Sequence, residues 1–258
     1  MSLAISLLAV AAAIAFAAIV VRLVRGIVRK HVAEGHNDVL VPIFLTAGTI
    51  YAVFLAFLVV AVWETYDAAH ANVAEEASTL ATLYRASTGM EKASGDEVRR
   101  LVREYTETVI KDEWSIQAAT GGASPKARAA ALEMYRSFGR IPLNVRQSDA
   151  LIDQTALQLV SQVQTDRNRR TLEAGESLSL IMWIATIGGG LVVLALCSLL
   201  YMDRAWPQML ATGVMTGLFA MLLVVTFLLS RPFEGPMALQ PEPFEHSMGV
   251  YDSVDKTP

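Results

Sequence analysis

An apolar run from Val41 to Val62, VPIFLTAGTIYAVFLAFLVVAV, passes at Trp63–Glu64 into the polar stretch ETYDAAHANVAEEASTLATLYR. No glycine, proline or turn cluster interrupts the chain between Gly48 and Gly89. The pattern predicts one helix that leaves the bilayer at Trp63 and continues into water without stopping. A membrane helix feeding directly into a polar helix suits channels, receptors and signalling anchors, and is foreign to most soluble enzymes.

Three further segments resemble the run in length and character. Leu3–Val21, Val41–Trp63, Leu178–Tyr201 and about Met209–Leu229 are each long enough to cross the ~30 Å of hydrocarbon that takes about 20 apolar residues. Their cores hold no Lys, Arg, Asp or Glu, and Trp63, Tyr201 and Trp206 sit where interfacial aromatics belong. The composition agrees, at 53% hydrophobic and 18% charged residues. The expected protein is therefore an all-α membrane protein with four transmembrane helices and an α-helical soluble extension between the second and third. Its organisation reads as membrane helices 1 and 2 with a short basic loop over 1–63, a helical soluble domain over 64–177, membrane helices 3 and 4 over 178–230, and a C-terminal tail over 231–258.

The first span is read as an anchor that is kept, because no positive charge precedes it while Arg22, Arg25, Arg29 and Lys30 follow it. Those residues put the N-terminus outside and the 22–40 loop inside. The remaining basic residues do not reinforce that orientation: Arg204 joins the first loop, whereas Arg167, Arg169, Arg170, Arg231 and Lys256 fall on the opposite side. Only the dominance of the first helix breaks the tie. Cys197 is the lone cysteine and lies within the third span, which excludes an intramolecular disulfide and suits a small packing residue. The net charge of −4 speaks against a nucleic-acid partner.

The middle of the chain carries helical periodicity throughout and no strand signal. Ala69, Val73, Ala77, Leu80 and Tyr84 recur at helical spacing in the continuation of the second span. Gly89 and the ASGD run at 93–96 are expected to end that helix, with Asp96 as the N-cap of a second one carrying Leu101, Tyr105, Val109 and Trp114. TGGASP at 120–125 is a loop, a short helix follows over about 126–138, and Gly139 to Pro142 end it. A last helix, about Val145 to Ser177, carries Leu151, Ile152, Leu159 and Val163. Acidic and basic residues alternate along these helices, a mixture read as a solvated surface.

No enzyme site assembles from these residues. His31, His36, His70 and His246 have no metal-ligand spacing, and the sequence lacks HExxH, Walker A and GxSxG patterns. The reading is a non-enzyme with no catalytic residue, no metal and no cofactor. Gly188–Gly190, inside the third span, and the Gly213/Gly217 pair of the fourth mark close helix contacts.

Several short motifs together resemble the bestrophin-like membrane proteins of bacteria. They are His36-Asn37-Asp38 before the second span, Tyr51-Ala52-Val53 and Ala56-Phe57 within it, and Trp63-Glu64 at its end. Glu76-Ala77, Leu83-Tyr84-Arg85, Glu113-Trp114, Arg231-Pro232-Phe233 with Gly235, and Pro243-Phe244-Glu245 follow. The likeness runs over nearly the whole chain. It implies a multi-pass protein of the bacterial inner (plasma) membrane, a homo-oligomer (a pentamer) conducting inorganic ions, with its pore lined by the second membrane helix. Calcium gating is not carried over, because Glu234 stands alone before Gly235 and Pro236 where bestrophins have a run of acidic residues.

The residues support a pore independently. Thr46, Thr49, Val53, Phe57, Val60 and Glu64 fall on one stripe of the second span at three- and four-residue spacing. In a ring of subunits such a stripe gives polar rings, then an apolar constriction able to gate by dewetting, then an acidic mouth. The bland alternative packs this face against the other spans, with each hydroxyl bonding its own helix. The competing function is a non-conducting membrane scaffold or sensor whose helical domain binds a partner. No charge lies within a span, which disfavours proton-coupled transport. An even number of spans puts both termini and the middle domain on one side, so cysteines introduced at Ser2, Ser124 and Ser253 should label from a common side. A split result would remove one span.

Overall fold

The computed structural model describes residues 3–30, 35–138, 147–175 and 177–256. The expected break at Gly139 to Pro142 and the labelling position Ser2 lie outside them. Every regular element among the described residues is helical. They form two compact units, Met1–Thr65 with Ser177–Ser230, and Tyr66–Glu176 with Arg231–Pro258.

The first unit holds the apolar helices: α1 (Leu3–Val28), the first part of α2 (His36–Ala86), α7 (Leu180–Leu199) and α8 (Ala205–Leu229). Each is long and apolar enough to cross a membrane, which matches the four candidate spans of the sequence. Helix α2 runs unbroken for 51 residues, as the missing breakers require. Helix α7 starts at Leu180, two residues later than the hydropathy suggests, because the Ser179 hydroxyl accepts the Met182 amide at 3.4 Å and caps the first turn. Helices α1, α7 and α8 pack together. Gly213 and Gly217 make room for Ile14, since a Cβ at Gly217 would come within 3.0 Å of its side chain. The small-xxx-small pair is thus a contact within the chain. Helix α2 turns Tyr51, Leu55, Leu58 and Val62 inward, all buried and spaced four, three and four residues apart.

A polar clasp closes one end of this unit. Arg25 donates to the Met202 and Asp203 carbonyls at 2.7 and 2.8 Å and to Gln208 Oε1 at 2.8 Å. Asn37 exchanges two bonds with the backbone of Tyr201, at 2.7 and 3.1 Å. His36 lies 3.2 Å from the Leu199 carbonyl. The carbonyls released at the end of α7, and in the turn after it, thereby find donors.

The second unit contains the rest of α2, a 3-10 turn (Ser87–Gly89), α3 (Lys92–Thr108), a π-helical turn (Val109–Glu113), α4 (Trp114–Thr120), α5 (Pro125–Phe138), α6 (Gln147–Gly175) and α9 (Glu242–Asp255). The stripe Ala69, Val73, Ala77, Leu80 and Tyr84 is buried as its spacing predicts. So is the stripe Leu101, Tyr105, Val109 and Trp114. Its last step is five residues, which rotates a plain α-helix about 140° away from the stripe at 3.6 residues per turn. The π turn inserts the extra residue between them and returns Trp114 to the buried face.

The ASGD run is a correction. Helix α3 already begins at Lys92, and Asp96 is not its N-cap but pairs with Arg99 one turn on. Gly95 serves close approach, since a Cβ there would stand 2.4 Å from the Ser87 carbonyl oxygen. In the TGGASP loop Gly121 takes φ 64° and ends α4 in the left-handed conformation. The residues expected to form a tail instead contain α9, which packs against α3 and whose Ser247 hydroxyl donates to the Ala77 carbonyl on α2 at 2.9 Å. Ser124 is buried, its amide bonded to Glu113, so the exposed Lys126 is the better labelling position.

Gly95→Ala should lower unfolding stability by about 1–3 kcal/mol, the cost of forcing an atom into a filled contact. Gly249→Ala, where an added Cβ would meet nothing within 4 Å beyond its own helix backbone, should be neutral or up to about 1 kcal/mol stabilising. Thermal unfolding followed by tryptophan fluorescence separates the two; equal effects would mean that Gly95 is not a contact glycine.

Candidate functional site

The stripe singled out on α2 lies on the helix face opposite to its packing residues. Thr46, Thr49 and Glu64 are exposed, and Val53, Phe57 and Val60 are 50%, 72% and 53% exposed. One half of the bland alternative holds: Thr46 and Thr49 donate to the carbonyls of Pro42 and Leu45 at 2.9 and 2.8 Å. The other half does not, because the side chains of this face are exposed among the described residues. Seven residues separate Phe57 from Glu64, a rise of about 10 Å along the axis. The chain therefore presents a graded strip: hydroxyls bound to their own helix, then bare hydrocarbon, then a carboxylate. Trp63, beside Glu64, is also exposed.

The other motif residues fall into separate places. His36 and Asn37 belong to the clasp on the 199–204 turn, and the Asp38 amide bonds Gly35 at the start of α2. Tyr84 is buried, stacked on Tyr251 at 4.2 Å and donating to Asp255 at 2.8 Å, while Arg85 is exposed. Arg103 bridges Asp252 and Asp255 at 2.9 and 3.0 Å, which fixes α9 against α3. Burial pushes the Tyr84 and Tyr251 hydroxyls above their ordinary range. Trp114 meets Phe233 and Phe244 edge to face, each at 5.7 Å, and its indole N–H donates to the Leu239 carbonyl at 3.0 Å. The Arg231-Pro232-Phe233 segment forms the turn that delivers Phe233. Arg231 pairs with Glu234 at 2.8 Å, the Pro232 carbonyl accepts Leu239 at 2.8 Å, and Gly235 takes φ 85°.

The sequence reading missed the polar core of the second unit, where the charges taken for a solvated surface include five that are buried: Glu76, Glu113, Asp166, Arg167 and Arg170. Arg170, fully buried, meets Glu76 at 2.7 Å and Glu113 at 2.9 Å, and donates to Gln117 Oε1 at 2.9 Å. Arg167 completes the set on Glu113, so two guanidiniums balance two carboxylates. The Tyr105 hydroxyl donates to Glu76. Burial holds that hydroxyl well above its usual range, and the Glu76 carboxylate pushes it further. Burial alone would lower the Arg170 guanidinium, and Glu76 overrides it and raises it. Trp114 and Phe244 lie under the guanidinium at 5.6 and 5.5 Å, adding cation–π attraction.

A signal for this core exists in the spacing. On α6 the buried positions Ala156, Val160, Val163, Arg167 and Arg170 follow one another at four, three, four and three residues, so both arginines continue an apolar stripe. Glu76 falls between Val73 and Leu80 in the same way. The cluster is charge-compensated, carries no nucleophile, and no group of three metal-ligating side chains occurs among the described residues. It organises the fold, and the α2 strip is the candidate functional surface.

The chain belongs to the bestrophin-like family: the model of the bestrophin-like domain matches residues 11–244. Solved structures share the fold. A point variant of a bacterial bestrophin homologue from Klebsiella pneumoniae superposes with a TM-score of 0.70 at 12% identity, covering 96% of this chain and 99% of that one. A second variant from the same organism gives 0.58 at 14% identity over 94% and 99%. A crystal structure described as a membrane protein gives 0.67 at 13% identity over 95% and 99%. No protein of curated function matches the chain. The protein is thus a bestrophin-like membrane protein.

Arg170→Met should cost about 3–5 kcal/mol, because it leaves the Glu76 carboxylate buried without a cation. Arg170→Lys should recover little, since an ammonium cannot reach Glu76, Glu113 and Gln117 together as the planar guanidinium does. Denaturation midpoints of the purified variants measure both; a loss under about 1 kcal/mol for Met would show that the cluster does not hold the unit together.

Proposed function

We propose that the protein is an oligomeric ion channel whose pore is lined by the α2 strip Thr46, Thr49, Val53, Phe57, Val60 and Glu64. The observation that carries this reading is that strip's exposure on a helix whose opposite face, through Tyr51, Leu55, Leu58 and Val62, is buried. Four helices leave no room for a pore within one chain, so the path runs between copies, five of them by resemblance to bestrophins. The protein sits as a multi-pass protein in a bacterial inner membrane, with residues 66–176 and 231–258 in water, and performs no covalent chemistry.

The division of labour follows from the side chains. Phe57 and Val53 ring a dry constriction that passes ions only when it wets. Glu64, about two turns along the helix from Phe57, rings the mouth; like carboxylates beside a low-dielectric wall reinforce one another's potential and concentrate cations. The threonine hydroxyls are tied to their own helix, leaving their oxygen lone pairs to a passing cation.

Phe57→Ala should raise basal conductance in planar bilayers severalfold while leaving the protomer folded. A side chain 72% exposed forfeits far less than the roughly 3–5 kcal/mol of a core phenylalanine. Glu64→Gln should move the reversal potential away from cation selectivity, most at low ionic strength where screening is weak. A monomer in mild detergent, or an intact Phe57→Ala oligomer passing no more current than the parent, would overturn the pore. A silent oligomer would shift the reading to a membrane scaffold or sensor.

A further inference from the structure

The first unit encloses a cavity of about 150 Å³ among its four helices. Phe16 on α1, Tyr51 on α2, Leu191 and Leu194 on α7, and Met215 and Phe219 on α8 line it. Three features of these walls decide what it can hold.

One wall of the cavity is set by a close approach. Tyr51 lies against the glycine run of α7, where a Cβ at Gly189 would stand 2.6 Å from its ring and one at Gly190 2.9 Å from its hydroxyl. The hydroxyl is anchored on the Thr186 carbonyl at 2.6 Å, and Phe219 meets the ring edge-on at 5.3 Å. The wall is therefore held in place by a hydrogen bond and two backbone contacts.

The few polar side chains at the cavity each have a partner within the chain. Tyr51 is bound to Thr186, Thr212 and Cys197 lie 3.4 Å apart, and Thr216 donates to the Thr212 carbonyl at 2.8 Å. A buried water needs two to four polar partners, and a lining whose hydroxyl protons are already committed and whose other walls are hydrocarbon holds a water poorly. Apolar cavities of this size stay dry and take benzene-sized guests. Phe16 and Leu191, each 53% exposed, and Ile187, 49% exposed, stand where the cavity reaches the outside of the unit. Their surroundings in a membrane are hydrocarbon, so a guest enters from the bilayer and crosses no polar barrier.

We infer that this cavity is a binding site for a small apolar group of benzene size, reached from the hydrocarbon of the membrane. The guest is either a free hydrophobic molecule or the end of a lipid acyl chain. The site depends on the four-helix packing alone, so it holds whether or not α2 lines a pore.

The Met215 methyl group reports on occupancy. Protein carrying 13C-methyl methionine, reconstituted in lipid nanodiscs, is titrated with benzene, and the Met215 signal is identified by its loss in Met215→Leu. The expected result is a saturable shift of that signal. In Ala220→Leu, which extends a side chain into the cavity, the saturable component should vanish. Ala13→Val makes a smaller intrusion and serves the same purpose if Ala220→Leu fails to fold. Nuclear Overhauser contacts separate the sources: contacts from benzene in deuterated lipid identify a free guest, and contacts from acyl-chain methyls in protonated lipid without benzene identify a lipid end. A Met215 shift that grows linearly with benzene in the parent and in the filled variants alike, with no contact from either source, would overturn the inference.

Discussion

Backbone amides and carbonyls cannot go unbonded in hydrocarbon, where each lost bond costs several kcal/mol, and the first unit is built around that requirement. Its apolar segments are helices because only helices satisfy the backbone within one segment. The difficult places are then the helix ends. Arg25, Asn37 and Gln208 supply donors to the turn between α7 and α8, where carbonyls would otherwise be left over. The same requirement limits Thr46 and Thr49, whose hydroxyls turn back onto their own carbonyls. Polar residues can therefore be placed along a membrane helix without breaking the rule that placed the helix there.

The second unit solves a different problem. Its helices are assembled around a charged centre, and Arg170 touches the products of four separate chain segments: Glu76 on α2, Glu113 at the π turn, Gln117 on α4, and the aromatic faces of Trp114 and Phe244. A guanidinium can do this because it is planar, always charged, and donates in several fixed directions. A pair of this kind adds little net stability over a hydrocarbon core of equal volume, yet losing one partner is costly. Its consequence is specificity of arrangement: helices out of register would bury an unpaired charge. The π turn belongs to this logic, since it keeps both Glu113 and Trp114 directed inward. The C-terminal segment completes the unit by placing Phe233, Phe244 and Tyr251 in the core.

Within the first unit, one residue of α2 separates two surfaces with different fates. Tyr51 closes the internal cavity, and two positions along, Val53 belongs to the exposed strip. The hydrogen bond to Thr186 and the absence of side chains at Gly189 and Gly190 set the position of the Tyr51 ring.

By itself the sequence determined whatever depends on local periodicity and composition. Four helices long enough to span a membrane and the unbroken α2 follow from composition and the absence of breakers, the buried stripes at Ala69–Tyr84 and Leu101–Val109 from spacings of three and four residues, and the close contacts at Gly189 and Gly190, though not Gly188, from the glycine run. Motifs spread along the chain also carried the family. Helix boundaries were less legible, as Asp96 shows: a glycine beside a good capping residue reads as a break, and only the Ser87 carbonyl packed against Gly95 explains why a helix runs through it. The buried arginines stayed hidden because a charge on a helix looks the same in sequence whether it meets water or a carboxylate from another segment. Glu76 and Arg170 are 94 residues apart, and no local rule joins them. The tertiary structure alone decided that they meet, that Phe57 and Glu64 lie on the unburied face of α2, and that the C-terminal residues are core, since each of these is a relation between distant segments.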